Sequence, residues 1–272
     1  MELSSKTDKG KIRAINEDAF LVIPPWSKQA ISKQTCAFLV ADGMGGHKAG
    51  EVASQMAVSL TEEWFNKNNL KDISTDLVED LTNFINEQIW DYSQKHKETE
   101  GMGTTYSIIL LKNNKAIIGH IGDSRIYRLR NNELTQLTKD HSIIGEQLRL
   151  GKITIEQARV HPARGILSKV LGARQFIKAD VFETEIKQND EFILLTDGIY
   201  SMMDNQEISS LIKKVPPAKL SETLIKHAND YGGNDNSTTI AFKLNEIPFT
   251  FPSIFSFKRI VSLISNFFSN NC

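Results

Sequence analysis

The residues able to do chemistry in this chain are acidic, and they sit where apolar runs stop. Ala37-Phe-Leu-Val-Ala41 ends in Asp42-Gly43, and Phe192-Ile-Leu-Leu195 ends in Thr196-Asp197-Gly198, 155 positions after Asp42. Asp123 lies in Gly122-Asp-Ser-Arg125, Asp235 in Asn234-Asp-Asn-Ser237, and Glu17-Asp18 directly precedes Ala19–Ile23. A short apolar run predicts a buried strand, so these carboxylates are expected where strands leave the core. Any one of them alone is explained by an Asp-Gly turn, a solvated acidic pair or a polar loop. Their recurrence at strand ends points to one site, because the strand ends of a sheet converge.

Carboxylates at such density repel one another unless a cation joins them. Oxygen donors suit hard cations, Mg²⁺ or Mn²⁺. The six histidines show no His-x-His or His-x-x-x-His spacing, so they offer no rival metal motif. His120, inside an apolar run, is expected to be a hydrogen-bonded core residue. No P-loop, Cys-x-x-Cys or Gly-x-Ser-x-Gly motif is present. Arg13, just before Asn16-Glu17-Asp18, is the candidate phosphate partner, since a guanidinium fork matches phosphate oxygens.

The elements that must hold these groups follow from periodicity. Strand-length runs occur at Ala19–Ile23, Cys36–Ala41, Thr105–Leu111, Ala116–Ile121, Ser124–Leu129, Ala179–Phe182, Phe192–Leu195 and Thr238–Phe242. Asn113-Asn114 and Asn131-Asn132 mark hairpin turns, so the middle of the chain reads as an antiparallel meander. Apolar residues three and four apart predict helices over Gly50–Asn66 and Ser74–Lys95, and a second pair over Asn205–Lys214 and Ala218–Tyr231. Helices arriving in pairs, not alternating with strands, argue against a doubly wound parallel sheet. The expected fold is α+β, a two-sheet antiparallel sandwich with a helical pair on each outer face (αββα). The stretch 143–165, with short helical pieces and His161-Pro162, is expected to form a flap beside the site.

Lys and Arg total 32 against 33 Asp and Glu, a net charge of −1. That balance gives no support for nucleic-acid binding. The two cysteines, Cys36 and Cys272, suggest no disulfide framework, and no apolar signal run opens the chain. A cytoplasmic location is therefore expected.

As an ordered set, these segments resemble the metal-dependent protein serine/threonine phosphatases of type 2C. The matching stretches are Thr7-Asp-Lys-Gly-Lys-Ile-Arg13, Asn16-Glu-Asp18, Val40-Ala-Asp-Gly-Met-Gly-Gly46, Gly101-Met-Gly-Thr-Thr105, Ile121-Gly-Asp-Ser-Arg125, Leu137-Thr-Lys-Asp-His-Ser142, Leu167-Ser-Lys-Val-Leu-Gly172, Leu195-Thr-Asp-Gly198 and Asn234-Asp-Asn-Ser-Thr238. Met44 and the compact length resemble the bacterial branch. The resemblance implies two Mn²⁺ or Mg²⁺ ions per subunit. Asp42 would bridge them, Asp197 and Asp235 would complete one, and Glu17 with the Gly43 carbonyl the other. Asp123, shared with Asp197, would hold a third, weaker ion. Arg13 would hold the substrate phosphate, and Asp18 would orient the water that attacks directly. Phosphorylated proteins are the implied substrates and a serine/threonine kinase the implied opponent, in a monomeric enzyme. The competing reading is a phosphatase-like module without catalysis; intact Glu17, Asp42, Asp197 and Asp235 argue against it.

Two departures matter. Many animal members carry histidine where Met44 stands and assign it to protonating the leaving group, so the general acid is unassigned here. Lys169 replaces a commoner arginine and lacks its fork. The phosphatase-like region is placed at 1–245. The tail, 246–272, carries six of the fourteen phenylalanines; Ile254, Phe257, Val261, Ile264 and Phe268 form a helical stripe, Phe255, Ile260, Leu263 and Phe267 spread apolarity around it, and Lys258-Arg259 interrupts it. It is too broken to span a bilayer. It is expected to dock on its own domain, to lie on a membrane surface, or to fill a partner's groove.

Overall fold

The computed structural model describes residues 1–45, 49–68, 70, 73–159, 161–163 and 165–248. Strands β1 (Glu2–Asp8) and β2 (Asp18–Ile23) are followed by α1 (Lys28–Lys33), β3 (Cys36–Met44), α2 (Ala49–Lys67) and α3 (Thr75–Lys95). Next come β4 (Gly103–Thr104), β5 (Tyr106–Lys112), β6 (Lys115–Ile121), β7 (Arg125–Arg130), β8 (Glu133–Gln136), α4 (Ile143–Arg149) and α5 (Ile155–Arg159). The described chain closes with β9 (Asp180–Glu185), β10 (Glu191–Leu195), α6 (Asp197–Tyr200), α7 (Asn205–Lys214), α8 (Pro217–Asp230) and β11 (Ser237–Lys243).

Two antiparallel sheets face each other. One runs β1-β11-β10-β7-β8, the other β2-β3-β5-β6-β9, with β4 paired to β3. Period-two alternation sends each strand's side chains to two different cores. On β3, Cys36, Phe38 and Val40 point between the sheets while Ala37, Leu39 and Ala41 point toward α2 and α3. On β10, Phe192 and Leu194 join the inter-sheet core, and Ile193 and Leu195 meet α7 and α8. The inter-sheet core is anchored by Phe242, whose ring lies 4.1 Å from that of Phe38 and 5.4 Å from that of Phe192. Ala49, Ala53 and Ala57 give α2 a flat face on its sheet, and buried Thr61 meets the Tyr106 hydroxyl at 2.9 Å.

The αββα expectation matches this arrangement. Asn131 and Asn132 both take positive φ in the β7–β8 turn, as a two-residue hairpin of that type requires. Besides the two-residue β4, four elements escaped the periodicity reading. β1, Glu-Leu-Ser-Ser-Lys-Thr-Asp, is an edge strand without apolar alternation, held by its pairing to β11. β8 is likewise polar, at the other edge of that sheet. α1 and α6 are too short to show a stripe.

The stretch expected as a flap contains α4 and α5. It is pinched at its base by a Ser142–Leu167 bridge and tied to β4 by a Thr104–Leu171 bridge. The tail from 249 to 272 lies outside the described residues. Among the described residues no helix is long and apolar enough to cross a membrane.

Truncating Phe242 to alanine should cost about 3–5 kcal/mol, the usual range for a fully buried aromatic. The same change at Phe176, 83% exposed, should cost almost nothing. Urea midpoints for the two variants check this; equal midpoints would refute the assignment of the core.

Candidate metal centre

Strand register brings the acids together. Asp18, the first residue of β2, lies directly opposite Asp42 near the end of β3. Asp197 follows β10 at the first position of α6, and Asp235 stands two residues before β11. β10 and β11 are neighbours, so those two carboxylates come from adjacent strand ends. Asp123 occupies the turn from β6 into β7. Gly122 makes that turn with φ +104°, and a Cβ there would run into Thr105.

Backbone contacts fix this end of the sandwich. Asn236 Oδ1 accepts from the Glu17 N–H at 2.8 Å, and its Nδ2 donates to the carbonyls of Lys9 and Ile15. Gly43 N–H donates to the Glu17 carbonyl at 3.0 Å. Gly43 and Gly50 pack backbone to backbone; a Cβ on either would overlap the other, and one on Gly50 would also strike Glu17 Oε1. Asp42 is gripped at both ends of its peptide: its N–H donates to Thr105 Oγ1 at 2.8 Å, and its carbonyl accepts from Thr105 N–H and the Thr104 hydroxyl.

The carboxylates themselves are short of partners. Asp18 Oδ2 accepts the Thr196 hydroxyl at 2.8 Å. Asp18 Oδ1 and Glu17 Oε1 are buried without a well-formed hydrogen bond, though the Gly50 N–H lies close enough to favour the Glu17 carboxylate. An orphaned buried oxygen is costly, more so when ionised. Burial, then the charges of Asp18, Asp197, Asp123 and Asp235, push the Asp42 carboxyl well above the usual carboxylate range. Burial lifts Asp18 to about 7, against the hydroxyls of Thr238 and Thr196. Burial followed by the charge of Asp197 lifts Asp123 to about 7, and burial with Asp235 and Asp18 lifts Asp197 to about 6. Glu17 is raised too, chiefly by burial.

Such a set of oxygen donors, crowded and partly orphaned, fits a hard divalent cation. No three acidic, histidine or cysteine side chains among the described residues already stand in closed coordination geometry, so a cation would have to draw the carboxylates inward against their present spacing.

The structure thus brings Glu17, Asp18, Asp42, Asp197 and Asp235 to one end of the sandwich. Asp123 joins the same electrostatic cluster from its edge. Arg13 is in the site, though not free: Nη2 donates to Asp235 Oδ2 at 2.7 Å, and Nη1 stands 4.0 Å from Glu17 Oε2. Its side chain is half exposed, so it can turn. His120 is the expected core histidine: Ser107 Oγ lies 2.8 Å from Nδ1 and the Lys139 carbonyl 3.1 Å from Nε2. Burial holds its pKa down at about 4. Lys169 is engaged with Asp180 at 3.1 Å. Cys36 is a core residue whose thiol burial pushes up to about 12. The sequence reading missed Thr105, Thr196 and Asn236, which brace the acids. Only their places inside the motifs hinted at them. It also missed Tyr200, whose hydroxyl donates to Asp123; nothing in the sequence signals that contact.

A family profile described as "Protein phosphatase 2C" matches residues 12–235. The chain belongs to the protein phosphatase 2C family. Among its relatives, the serine/threonine phosphatase stp of Listeria welshimeri is 37% identical over 250 residues, covering 90% of this chain and 96% of that protein. The crystal structure of serine/threonine phosphatase Stp1 from Staphylococcus aureus superposes with a TM-score of 0.81 at 31% identity, over 90% of this chain and 95% of the other. The catalytic domain of the serine/threonine protein phosphatase PstP, solved with two manganese ions, gives 0.77 at 29% identity, over 89% and 98%. This type 2C protein is accordingly a phosphoprotein phosphatase acting on serine and threonine.

The raised carboxyls set a pH dependence. Asp18, Asp123 and Asp197 bind protons more tightly folded, at about 7, 7 and 6, than their unperturbed value of 3.8. Their contribution is complete below that value and is lost as pH rises through 6 to 7. With chelator present, the melting temperature should therefore fall between pH 5 and 8. Mn²⁺ should restore it most at pH 8, where its ligands are already deprotonated. A Mn²⁺ shift that is flat or shrinks with rising pH would contradict this.

Proposed function

We propose that this phosphatase is metal-dependent, using two Mn²⁺ or Mg²⁺ ions with a third held weakly, and that water attacks phosphorus without a phosphoenzyme. The observation that carries the reading is the pair of orphaned buried oxygens, Glu17 Oε1 and Asp18 Oδ1, beside a carboxylate, Asp42, that four like charges disfavour. Cations held there supply positive charge for the phosphoryl oxygens and lower the pKa of water.

The protein's own part follows from its contacts. Asp42, at the centre of the acids, would be a ligand shared between the ions. Asp197 and Asp235 would help hold one, Glu17 and the Gly43 carbonyl the other, and Asp123 with Asp197 the third. Arg13 turns from Asp235 to the phosphate, its fork matching two phosphoryl oxygens. Asp18, fixed through Thr196, keeps Oδ1 free to accept from water and orient it. Two of the neighbouring hydroxyls are committed elsewhere: Thr196 donates to Asp18 and accepts from Thr238 N–H, and Thr105 accepts from Asp42 N–H and meets Ser124. That commitment supports water as the nucleophile.

Such an enzyme opposes a serine/threonine kinase on shared phosphoproteins and works as a monomer in the cytoplasm. The phosphatase unit ends at about 245. Residues 246–272 then serve as an attachment segment, to a membrane surface or a partner. The inactive-module reading has no observation in its favour.

Asp42→Ala should lower Mn²⁺-dependent hydrolysis of a phosphothreonine peptide by more than about 10³-fold, a loss of some 4 kcal/mol in barrier terms; near-normal turnover would sink the assignment. Phosphoserine and phosphothreonine peptides should be cleaved and phosphotyrosine poorly. Without a general acid at Met44, aryl phosphates should outpace alkyl phosphates; equal rates would reveal a proton donor elsewhere. Removing residues after Pro248 should leave peptide hydrolysis intact and abolish sedimentation with anionic vesicles. Loss of folding would instead make the tail part of the domain.

A further inference from the structure

Tyr200 ends α6, three residues after Asp197. Its hydroxyl donates to Asp123 Oδ2 at 2.8 Å and lies 3.2 Å from the Asp123 carbonyl. A phenol keeps its proton at neutral pH, so the hydroxyl is a donor to the carboxylate. The opposite side of the tyrosine is also held. The Arg125 guanidinium sits over its ring, 3.6 Å from the centroid, a cation–π contact. Arg125 is itself locked by Asp140: Nε reaches both carboxylate oxygens at 3.2 Å and Nη2 reaches Oδ2 at 2.7 Å. Asp140 stands at the root of the 143–165 stretch. Gln136 Nε2 donates to its Oδ1 at 3.0 Å, and Arg149 of α4 donates to its carbonyl at 2.8 Å. The contacts run unbroken from α4 through Asp140, Arg125 and Tyr200 to Asp123.

Tyr200, Arg125, Asp140 and Arg149 have no role in the reaction described above. Asp123 has no other side-chain donor among the described hydrogen bonds, and after burial the charge that most disfavours its ionised form is that of Asp197. Left to itself, a carboxylate facing a second carboxylate would rotate away.

We propose that Tyr200 is a positioning residue that holds the Asp123 carboxylate toward Asp197, and that Arg125, clamped by Asp140 at the flap root, holds Tyr200 in place to do so. The proposal rests on the reading that Asp123 and Asp197 share a weakly bound cation. Hydrogen bonds to a ligating carboxylate typically change metal affinity by about 10–100-fold when removed. The weak position is then coupled to the flap, because α4 and Arg125 grip the same Asp140.

Mn²⁺ titration of the full-length protein by calorimetry, with electron paramagnetic resonance counting free ion, tests this. Wild type should show tight binding followed by a weak event, and Asp123→Asn should remove only the weak event. Tyr200→Phe should weaken that event about tenfold and leave the tight ions in place. It should also raise the Mn²⁺ concentration for half-maximal phosphopeptide hydrolysis by a similar factor. In the double variant, Tyr200→Phe should add nothing to Asp123→Asn. Arg125→Lys, which keeps charge without the planar fork, should shift the weak event the same way. Wild-type or tighter weak binding in Tyr200→Phe overturns the proposal, as does equal loosening of every event. A wild-type protein without any Asp123-dependent event would overturn the shared-cation reading and the proposal with it.

Discussion

Asp18 and Asp42 face each other across β2 and β3, and Asp197, Asp235 and Asp123 crowd the same end of the sandwich. Asp18, Asp42, Asp123 and Asp197 are each disfavoured as a charge, first by burial and then by neighbouring carboxylates. Nothing about local packing would gather five like charges. The strand order does, because the strands carrying them all emerge at one end. Stability must come from elsewhere, and three separate apolar cores supply it: one between the sheets and one beneath each helical pair.

Small polar residues turn that rigid body into a fixed set of donors. Thr104 and Thr105 hold the Asp42 peptide, Asn236 spans three backbone groups around Glu17, and Thr196 ties Asp18 to β11. Gly43 and Gly50 let α2 begin against the end of β3, closer than any side chain permits. The carboxylates are therefore held in place by their backbones while two of their oxygens go unsatisfied. Rigid backbone supports around undersatisfied charge bring the acids to one place during folding and leave a bound cation to close their side chains the rest of the way.

Much of this was legible in the residues. The Asp-Gly pairs, the paired helices and the Asn turns each carry a local physical signature, and each appears where it was expected. What was not legible depends on neighbours distant in sequence. β1 reads as a polar segment because its order comes from pairing with β11, some 235 residues later. Arg13 reads as a free phosphate ligand, yet it is engaged with Asp235, a contact across 222 positions. Tyr200 looks like one more apolar residue of a short helix; only the fold lays its hydroxyl on Asp123. Periodicity reports burial, and burial alone does not say which atom a side chain will meet.

Crowded, proton-retaining carboxylates are what a divalent cation discharges at this end of the sandwich. The most direct measurement is the number of protons released on Mn²⁺ binding, obtained by calorimetry at pH 6.5 in two buffers of different ionisation enthalpy and repeated at pH 8. With Asp18, Asp123 and Asp197 retaining protons up to about 6 or 7, release should be clear at pH 6.5 and smaller at pH 8, where those three carboxyls no longer contribute. Binding heats that do not depend on the buffer at pH 6.5 would contradict the account.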